Sequence, residues 1–145
     1  MILGIGNPLR GDDGFGPALV ARLQGNPFVR CFDVGTAPEN YLGKIVKENP
    51  DTVLLVDAVH LEQSAGTIAI LAKDEIVKSG FTTHDLSPTL FIEYLEQNTQ
   101  AKIFLLGVQP RTIAFGEEFS TPVLQAIGMV EKMILEALDA RNPSH

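Results

Sequence analysis

The feature that most constrains this sequence is an apolar run that ends in an acid, VLLVDA at residues 53–58. No polar residue alternates with the apolar ones between Val53 and Val56. Such a continuous run is typical of a strand covered on both faces, as strands of parallel sheets are. Asp57 then falls at the carboxyl end of this strand, where open parallel sheets bind their ligands. We therefore expect a sheet between two helical layers, with Asp57 at its functional edge.

The rest of the chain predicts an alternation of strands with helices. A helix should begin no earlier than about Asp13, because Pro17 is tolerated only in a first turn. Ser87 and Pro88 are the cap and first residue of another helix, and the last helix should run from the STP segment to about Ala140. The remaining segments are the strands MILGI, PFVRCFDVG, GTIAILA and KIFLLGVQP, and the helix PENYLGKIVKE. This order predicts an α/β sandwich with a mostly parallel sheet.

Length and composition limit the classes of protein that the chain can represent. Its 145 residues are expected to form one domain, 1–145, with a frayed tail at 141–145. The net charge of −7 disfavours nucleic acid as a partner, because an acidic surface repels phosphates. Cys31 is the only cysteine, which excludes an internal disulfide and a thiolate zinc cage, and we expect it to be buried. No apolar run reaches the length of a membrane span, so we expect a cytoplasmic protein without a membrane partner.

The segment GIGNPLRGDDGFG, residues 4–16, contains five glycines and two adjacent acids. Glycine allows sharp turns and close backbone approach, and an acid at the start of a helix is an ordinary cap. We favour Asp12 as the cap and Asp13 as a ligand, although the reverse assignment fits the sequence as well. The spacing excludes a dinucleotide fingerprint, because its third glycine would fall at Leu9.

Several polar groups should meet at the carboxyl edge of the sheet. Asp13, Asp57 and Asp33 follow three different strands, and His84 lies in a connection that can reach the same edge. Two neighbouring carboxylates repel, and a bound cation removes that penalty. Two carboxylates and an imidazole suit nickel, zinc or manganese, with positions left open for water or substrate. His60 lies beyond its strand, where exposure to solvent is the simpler interpretation. A carboxylate–histidine metal site and a binding module with an acidic mouth both remain possible.

Five motifs together resemble those of the maturation endopeptidases of nickel-iron hydrogenases, and most closely the hydrogenase-3-type branch. They occur in the family's order and cover nearly the whole chain: GIGNPLRGDDGFG, DVGTAPEN, VLLVDA, TTHDLSP and LLGVQP. The resemblance implies a three-layer α/β/α sandwich around a five-stranded, mostly parallel sheet with one antiparallel strand, which GTIAILA fits.

The resemblance also implies an activity and a set of site residues. The activity is nickel-dependent, aspartyl-type removal of a C-terminal extension from the hydrogenase large-subunit precursor after nickel insertion. The family's metal ligands and catalytic groups fall on Asp13, Asp57 and His84, and its substrate-binding segment falls on Gly35 and Thr36. The nickel is expected to arrive with the precursor, and the protein is expected to act as a monomer.

Two other functions are compatible with the same residues. One is a non-catalytic chaperone or adaptor that holds the nickel-loaded precursor without cutting it, and the other is a small-molecule metallohydrolase. For the endopeptidase, His84 must be neutral to bind a metal, so activity should fall below about pH 6 to 6.5. Either the metal or a carboxylate, Asp13 or Asp57, could activate the attacking water.

Overall fold

The structure is a computed structural model that describes residues 1–81, 83 and 85–143. These residues contain five strands and five α-helices, in the order β1-α1-β2-α2-β3-β4-α3-α4-β5-α5, and short 3-10 turns precede α1 and α2. The strands are β1 (Ile2–Ile5), β2 (Cys31–Gly35), β3 (Thr52–Ala58), β4 (Ile68–Leu71) and β5 (Lys102–Val108). The helices are α1 (Phe15–Leu23), α2 (Leu42–Glu48), α3 (Lys73–Lys78), α4 (Pro88–Asn98) and α5 (Thr121–Arg141).

The strands form one sheet in the spatial order β2-β1-β3-β5-β4. β1 pairs in parallel with β2 and β3, and β3 pairs in parallel with β5. β4 lies antiparallel to β5 at one edge, so the expected antiparallel strand is confirmed as GTIAILA. β1, β3 and β5 therefore end at the same edge of the sheet, and Asp57 lies in the central one.

Alternate side chains of the strands point into two separate apolar cores. Leu3 and Leu55 lie in the core that α2, α3 and α4 cover. Ile2 and Val56 lie in the core that α1 and α5 cover, and Cys31 is buried there, as expected. Because both faces of the central strands are covered, their apolar runs need no alternation with polar residues. The three-layer α/β/α arrangement is thus confirmed.

The structure differs from the sequence-based expectations in three elements. β2 begins at Cys31 rather than at Pro27, because the Asn26 side chain accepts the Phe28 N–H at 2.8 Å and forms a turn there. The PENYLGKIVKE segment begins as a 3-10 turn, Pro38–Tyr41, before α2. Helix α3 was not predicted at all, because its six residues are too few to show a helical period.

The expected start of α4 is confirmed. The Ser87 hydroxyl accepts the Leu90 N–H at 3.1 Å and caps α4, and Pro88 is its first residue. In the part of the chain that the structure describes, no helix has both the length and the apolar character needed to cross a bilayer.

Two glycines, one in the loop between β1 and α1 (residues 6–14, the first loop) and one in the first turn of α1, allow α1 to pack directly on the ends of β1 and β3. A Cβ at Gly16 would lie 2.5 Å from the backbone N and O of Ile5 and from the Val56 carbonyl oxygen. A Cβ at Gly6, whose φ is +140°, would collide with the carbonyl oxygen of Asp13. Any side chain at these positions would push the start of α1 away from the sheet edge. The glycines therefore bring Asp13 close to the end of β3.

We expect Gly16→Ala to lower the free energy of unfolding by about 2 kcal/mol or more, because the added methyl group overlaps backbone atoms that cannot move independently. Gly43→Ala is the matched control, since a Cβ there has nothing within 4 Å and lies in α2. It should raise the same free energy by about 0.5–1 kcal/mol. Urea denaturation of both variants measures the difference, and a Gly16→Ala variant as stable as the wild type would contradict the close packing.

Candidate functional site

A cavity of about 840 Å³ opens at the carboxyl edge of the sheet. Its walls come from the first loop, from the end of β3 and the segment that follows it, from the end of β4, from α3 and the residues after it, and from the segment that follows β5. The described lining residues are Asp13, Asp57, Ala58, Val59, His60, Leu61, Glu62, Leu71, Glu75, Lys78, Ser79, Gly80, Pro110 and Ile113. Among them are four acids and a single lysine, so the cavity favours cationic ligands.

Asp57 is the most deeply buried acid of this cavity, with 6% of its surface exposed. Burial raises the pKa of its carboxyl well above 3.8, and the nearby charge of Asp13 raises this pKa further. A hydrogen bond from the Ala58 N–H to Oδ1 of Asp57, 2.9 Å long, acts in the opposite direction and lowers the pKa. Burial and repulsion prevail, so ionised Asp57 is held in an unfavourable environment until a positive charge enters.

Asp13 is half-buried and is held in place by the first loop itself. Its Oδ2 accepts the backbone N–H of Asn7 at 2.9 Å. The Asn7 side chain in turn accepts the Leu9 N–H at 2.9 Å, which stabilises the turn after β1. This leaves Oδ1 of Asp13 without a hydrogen bond among the described residues, and Asp13 lines the same cavity as Asp57. The geometry thus brings together the two acids that the sequence analysis selected.

Asp12 is fully buried, and its role differs from the expected one. It does not cap the helix that follows, whose first turns have no side-chain cap. Its carboxylate instead accepts the backbone N–H groups of Arg111, Thr112 and Ser120 at 2.8–3.3 Å, and the Ser120 hydroxyl at 2.8 Å. The preference for Asp12 as a helix cap was therefore wrong, because a distant loop offers more donors than the local helix start.

The other predicted site residues have different outcomes. His84 lies outside the described residues. Asp33 is exposed, accepts the Gly35 N–H at 3.0 Å and is not part of the cavity wall. Gly35 and Thr36 do not line the cavity either, but the Gly35 carbonyl accepts the Gly6 N–H at 2.9 Å, which joins their turn to the first loop.

His60 is exposed, as expected, and it also lines the cavity. Among the described residues, no three His, Cys, Asp or Glu side chains are arranged so that they could hold a metal ion. A three-ligand site built on Asp13 and Asp57 therefore needs a further donor, from His84 or from a ligand that enters the cavity.

Sequence reasoning missed the role of two buried or half-buried polar side chains. Gln109 is 8% exposed, and its Oε1 accepts the Leu61 N–H at 2.6 Å, which fixes the wall that follows β3. The Glu39 carboxylate accepts the N–H groups of Asp85 and Leu86 at 2.8 and 3.0 Å. Both belong to recognised motifs, GVQP and APEN, and a polar residue in each was the available signal.

Apolar side chains are exposed beside the cavity on the segment that Asp12 holds. Ile113 and Phe115 are 44% and 71% exposed, and Ile113 is also part of the cavity wall. Leu9 is 61% exposed, and its carbonyl oxygen accepts the Gly116 N–H at 2.8 Å. The two loops thus form one rim, and the rim combines acidic and apolar groups.

Comparison with known proteins gives consistent similarities over nearly the whole chain. The family model described as hydrogenase maturation protease matches residues 17–137. The hydrogenase 3 maturation protease of Escherichia coli strain K12 is 33% identical over 133 residues, covering 90% of this chain and 85% of that protein. The crystal structure of a NiFe hydrogenase maturation protease, HycI from Thermococcus kodakarensis, matches with a TM-score of 0.82 at 32% identity, covering 95% and 90% of the two chains. The solution structure of the endopeptidase HycI from Escherichia coli matches with a TM-score of 0.79 at 31% identity, covering 91% of this chain and 86% of that chain.

The two adjacent acids of the first loop should respond differently to substitution. Asp12→Asn places an NH₂ group against donors that a carboxylate now satisfies, so we expect the free energy of unfolding to fall by about 2–3 kcal/mol. Asp13→Asn removes one charge and disturbs one accepted bond, and it should change this free energy by less than about 1 kcal/mol. Urea denaturation measures both values, and equal losses would contradict the division of roles.

Asp57 should make folding stability depend on pH. Its pKa is raised in the folded state, so the folded state retains the proton more tightly between pH 3.8 and the raised pKa, and stability falls as pH rises through this window. Asp57→Asn removes the titration. Its free energy of unfolding relative to the wild type should therefore rise by more than about 1 kcal/mol from about pH 3 to about pH 7.

Asp139→Asn is the matched control for this measurement, because it changes an exposed acid of α5 in the same way. Urea titrations of the three proteins at both pH values provide the comparison. A difference between Asp57→Asn and the wild type that does not change with pH would exclude the raised pKa.

Proposed function

Because the chain belongs to the hydrogenase maturation protease family, we propose that it removes the C-terminal extension of a nickel-iron hydrogenase large-subunit precursor after nickel has been inserted. The observation that carries this proposal is the pair Asp13 and Asp57 in one acid-lined cavity at the carboxyl edge of the sheet. A buried carboxylate beside a second one has its lowest free energy when a cation lies between them. Nickel on the precursor would supply that cation.

The nickel enters this proposal as part of the substrate. Asp13, Asp57 and His84 bind the precursor's nickel, with two oxygens and one nitrogen as donors. Before the precursor arrives, burial and the charge of Asp13 disfavour ionised Asp57. A nickel-free precursor offers no charge to relieve this state, so the cavity discriminates between loaded and empty precursors.

Cleavage is hydrolysis of one peptide bond beside the bound nickel. A water oxygen attacks the carbonyl carbon, the C–N bond breaks, and the proton of the water passes to the leaving amine. Nickel can polarise the carbonyl or the water. In the other, aspartyl-type route, Asp13 or Asp57 accepts the water's proton as a general base.

The precursor is expected to contact more than the two acids. The cavity has four acidic side chains on its described walls, which suits a basic segment near the scissile bond. The turn at Gly35 and Thr36 lies on the β2 side of the first loop and extends this surface toward the outer strand. In this proposal the protein acts on its precursor as a monomer in the cytoplasm.

Incubation of the protein with nickel-loaded and nickel-free precursor tests the proposal, and a shift in gel mobility reports shortening. We expect shortening of the loaded form alone. Asp13→Asn, Asp57→Asn and His84→Ala should each lower the rate by at least about 100-fold while the variants remain folded, because each removes a ligand that positions the bond. Asp139→Asn, far along α5, is the control and should cleave at the wild-type rate.

The possible failures have distinct meanings. Binding of the loaded precursor without shortening would support the adaptor and contradict the protease. Shortening of both forms would contradict the dependence on nickel. A His60→Ala variant that loses as much activity as His84→Ala would show that the cavity histidine, His60, was wrongly dismissed.

A further inference from the structure

We propose that Glu39 is a positioning residue that fixes the backbone at Asp85 and Leu86, the segment directly after the predicted ligand His84. The proposal rests on the proposed function for the role of His84, but the contacts that carry it belong to described residues alone. Glu39 lies in the 3-10 turn Pro38–Tyr41, between β2 and α2. It does not line the cavity, so it acts through the backbone of another segment.

A single oxygen of Glu39 accepts two consecutive backbone amides. Oε2 lies 2.8 Å from the Asp85 nitrogen and 3.0 Å from the Leu86 nitrogen. These partners are 46 and 47 residues away along the chain, so the contact joins two separate connections of the fold. Bonds from amides to a carboxylate are stronger than those between neutral groups, and two of them fix both the position and the direction of the peptide.

The Asp85 nitrogen is also the nitrogen of the peptide bond that joins position 84 to position 85. A bond at this atom therefore acts one peptide away from His84. On the other side, Ser87 caps α4 through the Leu90 N–H. Residues 85–87 are thus held at one end by Glu39 and at the other end by α4, which packs on the sheet.

Glu39 is itself held by the end of β2. Pro38 is buried at the start of its turn, and the Tyr41 hydroxyl reaches the Asp33 carbonyl at 3.4 Å. The same strand ends at Gly35, whose carbonyl accepts the Gly6 N–H of the first loop. Hydrogen bonds at the end of β2, together with the backbone of the turn Pro38–Tyr41, therefore link the loop that carries Asp13 to residues 85 and 86.

A positioning role and a purely structural role have different consequences. If Glu39 only stabilised the fold, its removal would lower the free energy of unfolding and leave the turnover of folded molecules unchanged. If it positions the segment, turnover at saturating precursor falls, because a displaced ligand no longer holds the reacting bond correctly. Glu39→Gln, which keeps an uncharged acceptor oxygen, should retain part of the turnover that Glu39→Ala loses.

The test compares Glu39→Ala and Glu39→Gln with Glu48→Ala. The control removes a glutamate of the adjacent helix α2, whose carboxylate bonds Arg30 at 2.9 Å on the surface. Amide hydrogen exchange at Asp85 and Leu86 is measured on each protein without precursor. The values of kcat and KM are then measured with nickel-loaded precursor, and urea denaturation gives the folded fraction.

Glu39→Ala should speed exchange at both amides about 10-fold or more and lower kcat by about 10- to 100-fold, with a smaller change in KM. Glu39→Gln keeps the shape of the side chain and one carbonyl oxygen. Its exchange rates and its kcat should lie between those of Glu39→Ala and those of the wild type. Glu48→Ala should match the wild type in both measurements.

Wild-type exchange or wild-type kcat in Glu39→Ala would overturn the proposal, and so would equal losses in Glu39→Ala and Glu39→Gln. A wild-type protein that does not shorten the precursor refutes the proposed function instead, and the exchange data then still decide whether Glu39 holds the segment.

Discussion

The buried carboxylate of Asp12 is the interaction on which the arrangement of the site depends. It accepts four hydrogen bonds from the segment 111–120, whose residues are separated from it by as many as 108 positions in the chain. A buried charge without such partners would cost several kcal/mol, so this segment cannot move away without a large penalty. The loop after β1 and the loop after β5 are thereby joined into one rim, with Ile113 beside the acids.

Beside this rim, Asp57 is placed where its ionised form is unfavourable. Asp57 is buried at the end of β3, where an apolar residue would be more favourable for stability. The charge of Asp13 also repels the ionised carboxylate of Asp57. A folded protein that holds two carboxylates in this way sacrifices some stability, which is common at functional sites. In the proposed function, the same arrangement favours a cation that the substrate presents.

The strands and the longer helices could be predicted because each carries its own local signal. The apolar run before Asp57 marks a strand covered on both faces, and Ser87 with Pro88 marks a helix start. Helix α3 has only six residues and gave no period to detect. Asp12 misled for a related reason: two adjacent acids before a helix have the pattern of a cap, and the donors that Asp12 binds come from a segment near the other end of the chain.

The sequence by itself predicted the strands and the longer helices, the carboxyl edge of the sheet as the place of the candidate site, and Asp57 together with one of the two adjacent acids of the first loop as its acids. These depend on hydrophobic pattern and on the direction of parallel strands, both of which are local or nearly so. Only the tertiary structure decided which acid of the first loop is structural, and that Glu39 holds the segment after His84. Both outcomes depend on which backbone N–H groups, far away along the chain, lie beside each carboxylate once the layers have packed. No local sequence pattern encodes these contacts.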